Sequence, residues 1–358
     1  MRLRRLEAAS RAALVGLARR LPQPSPLGFG PGAPPVRVLY LRYDRIGDMI
    51  LSTGLLRAIA RSHANVVVDV LASPENAPVL IGNPYVRSVI VADPTYLQAI
   101  RRIRRERYDA VLDCQVFSPS TTTLIMMLMS RARHRIGLAG RGIDSAFTLP
   151  VPRPASARHY VEHLGALATP FGVTEANWRP EIFLTAAERA EGESRWRAGR
   201  RLLINISAGK PTCRWPAERF AAVLGALRAH ADLANLDVGI VAAPADAAMA
   251  EQLAGAGGRF LGTRSVREAF ALVATADYVL TPDTAITHAA SAFGKPAVVM
   301  FPRNRAEIWG PYRTGGTGVA STEGTLQSLP VEPVLGALTE LLLEHESSAE
   351  PSSVQRLL

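Results

Sequence analysis

The sequence predicts an α/β protein built from two doubly wound, mostly parallel sheets. Three observations carry that expectation. Short, almost wholly apolar segments such as VRVLYL (36–41) recur, and strands this apolar are covered on both faces. Helical patterns alternate with them, as parallel crossover connections require. The alternation fades after about residue 155 and restarts near residue 201, which splits the chain into two such arrangements.

Taken in order, residues 36–41 read as a buried strand and 48–62 as a helix. A strand over 64–72, a short helix over 75–81, a strand over 86–93, a helix over 96–107 and a strand over 108–115 follow. A charged helix over 186–200 leads into the second half. There, strands at 201–207, 236–244, 259–263, 277–282 and 295–302 alternate with helices at 216–230, 245–255, 265–275 and 284–293. A last helix over 331–345 precedes ESSAEPSSVQ, a polar tail whose composition predicts disorder. The expected organisation is a basic helix and Pro/Gly linker (1–35), an N-terminal domain (36–175), a C-terminal domain (176–330), and a terminal helix and tail (331–358).

With 358 residues, 48% hydrophobic content and a mean hydropathy of +0.09, the chain has material for two cores and the balance of a soluble globular protein. Its longest uncharged apolar stretch, 121–130, falls short of the ~20 residues that span a bilayer. No secretory leader pattern opens the chain and two cysteines cannot form a disulfide framework, so a cytoplasmic position is expected. Lys+Arg 41 against Asp+Glu 31 leaves a net charge of +10, which points to anionic partners. Zinc spacing and basic–aromatic interleaving are both absent, so nucleic acid is not an expected partner. No Asp-x-Asp pair occurs, and neither a metal nor a cofactor is expected.

Residues 1–22 carry Leu3, Leu6, Leu14, Leu17 and Leu21 at helical spacing, with Arg2, Arg4, Arg5, Arg11, Arg19 and Arg20 around them. Two readings stay open: a helix lying in the headgroups of an anionic membrane, or a helix packed on the domain. RRIRRERYD (101–109) adds a second arginine cluster, and QPSPLGFGPGAPP (23–35) has the composition of a linker.

Ligands of open α/β sheets bind beyond the carboxyl ends of the strands, so the loops there are where chemistry is sought. The first such loop holds Arg42, Asp44, Arg45, Gly47 and Asp48. Asp48 could cap the following helix; equally, it could take a proton from a hydroxyl while the arginines hold an anionic acceptor. Gly47 permits close backbone approach. The second loop, ISAGKPTCRWPAERF, offers Lys210, Thr212 and Arg214 after small residues, a pattern suited to a diphosphate. In the third, TPDTAITHAASAFGKP, Asp283 precedes a helix start at Thr284, Ala285 and Ile286 whose N–H groups suit an anion. His288 lies one turn further on.

These blocks, in this order, resemble the bacterial lipopolysaccharide heptosyltransferases of glycosyltransferase family 9. The resemblance runs from about Val36 to Tyr312 through RYDRIGDMILSTGLLRAI, LASPENAPVLIGNPYVRSVIVAD, YDAVLDCQ, RHRIGLAG, KPTCRWPAERFAAV and ADYVLTPDTAITHAASAFGKPAVVMFP, ending in IWGPY. It implies the GT-B fold, with two Rossmann-like domains facing across a cleft. It implies metal-independent, inverting transfer of a heptose from a nucleotide sugar, typically ADP-heptose, to a lipopolysaccharide core-type acceptor. Asp48 would be the general base; Lys210, Thr212, Arg214, Asp283, Thr284, Ala285 and His288 would bind the donor. Arg42, Asp44, Arg45 and Gly47 would meet the acceptor. Three positions depart from the family pattern: Gly54 stands for a proline, Cys213 for a lysine and Ala285 for a glycine. Competing readings are another nucleotide-sugar donor or epimerase chemistry on the same fold, and a non-catalytic, membrane-associated nucleotide-sugar-binding protein. The expected location is cytoplasmic, peripheral on the inner face of the inner membrane.

Overall fold

A computed structural model describes residues 2–22, 24–30, 32–233 and 235–347, without the side chains of residues 2–6 and 345–347. The Leu3 and Leu6 side chains of the amphipathic pattern, and the polar tail beyond residue 347, lie outside the described residues. The chain forms two compact units, Met1–Phe183 and Leu184–Leu358.

In the first unit the elements run α1 (Arg2–Arg19), β1 (Val36–Leu41), α2 (Ile46–Ala60), β2 (Val66–Ala72), β3 (Ser88–Val91), α3 (Leu97–Glu106), β4 (Ala110–Asp113), α4 (Thr121–Ser130), β5 (His134–Leu138), β6 (Leu149–Val151) and α5 (Tyr160–Gly165). The six strands are parallel in the order β3-β2-β1-β4-β5-β6. The order reverses between β1 and β4, which are hydrogen-bonded neighbours with Leu41 opposite Asp113. That reversal is where an open sheet leaves a crevice at its carboxyl edge.

Sequence reading stopped short of β5 and β6, and the reason is local. β5 buries His134 and Arg135, at 3% and 4% exposure, so its apolar signature is broken. β6 holds Pro150 and pairs on one side only, the edge position that a strand proline tolerates. The apolar stretch 121–130 is α4, capped by Ser120, whose Oγ accepts from the Thr123 amide at 3.2 Å.

The N-terminal helix packs on this unit. Ala18 is buried, and Leu14 and Val15 pack with it against a core that includes Ile103, Leu124, Met127 and Phe147. The Pro/Gly segment is also held in place: Phe29 stacks on His63 at 4.2 Å, and the Asn65 side-chain amide donates to the Gly28 and Pro34 carbonyls.

The division between units falls after residue 183 rather than 175 because the intervening strap is bound to the first unit. The Thr53 hydroxyl accepts from the Glu181 amide at 2.7 Å, and Arg57 pairs with Glu181. Gly54 and Gly165 make room for this strap: a Cβ on Gly54 would lie 2.7 Å from the Trp178 carbonyl carbon, and one on Gly165 would meet the Trp178 ring. A proline at position 54 would have no space here.

The second unit repeats the arrangement with α6 (Ala186–Ser194), β7 (Arg201–Asn205), α7 (Ala217–Ala229), β8 (Asp237–Val241), α8 (Ala247–Ala254), β9 (Arg259–Phe260), α9 (Val266–Thr275), β10 (Tyr278–Pro282), α10 (Ala285–Phe293), β11 (Ala297–Phe301), α11 (Ala306–Trp309), β12 (Gly316–Ala320) and α12 (Val331–Ser347). Its strands are parallel in the order β12-β11-β10-β7-β8-β9, so the reversal lies between β7 and β10. β12, sequence GTGVA, is an edge strand too rich in glycine to carry a strand signal. Among the described residues no helix is long and apolar enough to cross a membrane.

Gly54→Ala separates packing from propensity. Alanine inside a helix gains about 0.5–1 kcal/mol over glycine. Forcing a methyl against the Trp178 backbone costs about 1–3 kcal/mol. The denaturation midpoint of Gly54→Ala is therefore expected to fall, whereas that of Gly225→Ala, in α7 with open space around it, should rise.

Candidate active site

β1 delivers its last residues into the reversal of the first sheet, and the chain turns at once into α2. The helix begins at Ile46, so Asp48 is its third residue and Gly47 its second. Arg45 occupies the cap position and no side chain caps the helix, which corrects the expectation that Asp48 starts it. A carboxylate in the first turn is still favoured by the helix dipole.

Arg42 is 1% exposed. Its Nη1 donates to Asp44 at 3.0 Å and its Nε to Ser52 Oγ at 3.2 Å. Its Nη2 donates to the Cys114 carbonyl at 2.9 Å, the Tyr160 hydroxyl at 3.2 Å and the Tyr40 hydroxyl at 3.3 Å. The guanidinium is spent on protein partners, so Arg42 acts as a scaffold and Arg45 is the exposed cation of the pair. Asn76 fixes the same turn by donating to the Arg42 carbonyl at 3.1 Å.

Asp48 lies among these groups with its side chain 16% exposed and Oδ1 3.9 Å from Arg42 Nη1. Ser52 Oγ donates to its carbonyl at 2.7 Å, and the Tyr160 hydroxyl hydrogen-bonds its carboxylate. Burial pushes the Asp48 carboxyl up, Arg42 pulls it back, and Asp44 pushes it up again; the net is a carboxyl raised above its ordinary value. A carboxylate raised in this way is a stronger base than a solvated one.

In the second unit, the residues flanking the reversal are bonded to each other. Asn205 Nδ2, at the end of β7, donates to Thr281 Oγ1 at 2.9 Å, Thr284 Oγ1 at 3.2 Å and the Ser207 carbonyl at 3.2 Å. Thr284 is the N-cap of α10, and its hydroxyl accepts from the Ile286 amide at 3.3 Å. The Ile286 N–H is thus already satisfied, which narrows the expected anion site to the residues ahead of it. Ala285 is the first helical residue, a conformation that needs no glycine. The Asp283 amide donates to the Met300 carbonyl at 3.0 Å. His288 is 5% exposed, its ring 6.4 Å from Trp309.

Lys210 and Thr212 are exposed on the loop after β7, and Cys213 is buried in its short helical turn. Arg214 Nη1 donates to Asp246 Oδ1 at 2.6 Å. Burial would raise the Asp246 carboxyl, but Ser207 and Arg214 together hold it below the usual range. Pro216 is the cap of α7 rather than its first residue, and Trp215 anchors the loop by donating to the Leu329 carbonyl at 2.9 Å.

Sequence reasoning missed Tyr160, Asn205 and Asp246. The last two end or follow strands, β7 and β8, and the rule that selected the other loops would have found them. Tyr160 lies beyond the region where the strand rhythm is visible.

The comparisons with known proteins agree with this architecture. Residues 96–335 match the model of glycosyltransferase family 9 (heptosyltransferase). Lipopolysaccharide heptosyltransferase 3 of Escherichia coli (strain K12) is 23% identical over 359 residues, covering 87% of this chain and 98% of that one. Among solved structures, the family 9 glycosyl transferase of Veillonella parvula superposes with a TM-score of 0.74 at 20% identity, covering 86% of this chain and 97% of its own. The E. coli heptosyltransferase WaaC with ADP superposes at 0.69 and 17% identity, covering 85% and 99%; the same enzyme with ADP-2-deoxy-2-fluoro heptose gives 0.66 and 16%, covering 86% and 99%. The fold is GT-B. With more than half of its length matched by that family model, the chain belongs to glycosyltransferase family 9, the heptosyltransferase family.

Proposed function

We propose that the chain is an inverting glycosyltransferase that moves a heptose or related sugar from a nucleotide-activated donor, ADP-heptose, to a lipopolysaccharide core-type acceptor. The observation that carries the reading is Asp48: a mostly buried carboxylate with a raised pKa, held by Arg42 and Tyr160 at the carboxyl edge of a doubly wound sheet. Family membership supplies the reaction class, and a family member crystallised with ADP and a fluorinated ADP-heptose supports the donor.

In this reading Asp48 takes the proton of the acceptor hydroxyl as its oxygen attacks the anomeric carbon. The bond from that carbon to the diphosphate breaks, and the nucleoside diphosphate leaves. Arg45, with Asp44 and the Gly47 backbone, meets the acceptor, while Arg42 positions the base. Lys210, Thr212, Arg214 and the start of α10 at Thr284 and Ala285 offset the charge that develops on the leaving diphosphate. Asp283 holds sugar hydroxyls and His288 lines the same place. The enzyme works on the cytoplasmic face of the inner membrane, on a lipid-linked or core-oligosaccharide acceptor.

General-base catalysis is worth about 10²–10⁴-fold. Asp48→Asn is expected to lose about that much acceptor-dependent nucleotide release while still binding ADP-heptose in calorimetry. Near-normal turnover by this variant would sink the assignment.

The pH dependence follows from the same wiring. The base works ionised, so activity falls as pH drops through its raised pKa. The Tyr160 hydroxyl favours the ionised form, and removing it raises the pKa further. Tyr160→Phe should shift the acid limb of the kcat/KM profile to higher pH and recover toward the parent rate in alkaline buffer. An unmoved limb would mean that Tyr160 has no part in tuning the base.

A further inference from the structure

The N-terminal helix leaves something uncovered. α1 buries Ala18 with Leu14 and Val15, but Leu17 is 53% exposed and Leu21 38% exposed just beyond. Beside them, where α1 ends and α4 meets β5, lies an open groove of about 780 Å³. Leu17, Leu21, Leu128 and Ala132 form its apolar wall, and Arg131, Arg133 and Arg135 line it with charge. Arg131 and Arg133 are exposed at the end of α4.

Arg135 is the informative member. It is 4% exposed, and its hydrogen bonds go to the Ala146 and Ala18 carbonyls at 2.8 and 3.3 Å. Its pKa is lowered by burial with no carboxylate raising it. Among the described residues none of the three arginines is ion-paired. A buried cation such as Arg135 without a counter-charge is costly, and a groove that adds the exposed, unpaired Arg131 and Arg133 beside it concentrates positive charge that an anion would complete. The apolar wall adds a second requirement: the anion has to carry a hydrocarbon part.

We propose that this groove binds an anionic phospholipid of a bilayer surface, its phosphate on Arg131, Arg133 and Arg135 and its acyl region along Leu17, Leu21 and Leu128. Arginine pairs a phosphate oxygen with each N–H of its fork, and short apolar faces add contact area at the headgroup boundary. The helix is thereby a wall of a lipid site rather than a free anchor, and the groove's lining shares no residue with the Asp48 turn.

The test is vesicle co-sedimentation of the full chain with phosphatidylcholine alone and with phosphatidylcholine containing phosphatidylglycerol. The parent protein should pellet with the anionic vesicles and stay in solution with the neutral ones. Each surface cation is worth about a factor of five in such binding, so Arg131→Ala/Arg133→Ala should weaken it about 30-fold. Leu17→Ser/Leu21→Ser should weaken it as well, with circular dichroism unchanged because all four side chains are exposed. Arg189→Ala/Arg197→Ala, which removes the same charge from exposed positions in the second unit, should leave it unaltered. Equal loss in that control would overturn the groove in favour of diffuse charge attraction. Full competition by millimolar inorganic phosphate would overturn the lipid in favour of a free anion, and equal pelleting with neutral vesicles would overturn the proposal outright.

Discussion

A guanidinium buried to 1% exposure at the end of β1 governs the first unit. Taking such a charge out of water costs several kcal/mol unless each donor is matched. Arg42 is matched by β1 through Tyr40, by α2 through Ser52, by the end of β4 through the Cys114 carbonyl, by α5 through Tyr160 and by its own turn through Asp44. One side chain therefore fixes four elements around a single point. Asp48 inherits its environment from that point: burial raises its carboxyl, and the neighbouring Arg42 cation and Tyr160 hydroxyl pull it back down.

The two units share a strand order but treat its reversal differently. In the first, the carboxyl edge holds a full charge and two carboxylates. In the second, Asn205, Thr281 and Thr284 tie β7 to β10 with neutral hydrogen bonds, and the cations Lys210 and Arg214 stand on a loop outside. The contrast suits the proposed division of labour. A base needs a field that sets its proton affinity, whereas a diphosphate needs donors already in place before it arrives. In the proposed reading Arg214, paired with Asp246, is one such donor, already held in position.

Much of the fold was legible because buried parallel strands write themselves as apolar runs. β1, β2, β7, β8, β10 and β11 all do so. β5 does not, because burying His134 and Arg135 in a strand removes the signal that burial normally leaves. The candidate site was legible in its local part only. Asp48, Lys210, Asp283 and Thr284 follow strands and declare themselves by position. The depth of Arg42 was hidden, since a strand's end looks the same in sequence whether the next side chain turns inward or out. The Tyr160 contact was hidden for a different reason: it spans 118 positions and depends on α5 packing against α2 beneath a strap whose register is set by Gly54 and Gly165.

The N-terminal helix shows why amphipathic patterning underdetermines a partner. On a helical wheel Leu14, Leu17 and Ala18 fall within a sector of roughly 100°, the width of an ordinary core-facing stripe, and Leu21 follows just past the helix end. Had the domain covered that stripe, the arginines around it would be a solvated rim. The cover is incomplete: Leu14 and Ala18 reach the core while Leu17 and Leu21 stop outside it. At that exposed margin, Arg135 is buried against backbone carbonyls alone. A cation lacking an acid and leucines lacking a lid are separate deficits, and their meeting in one groove is what makes an amphiphilic anion, rather than a further protein segment, the partner that satisfies both.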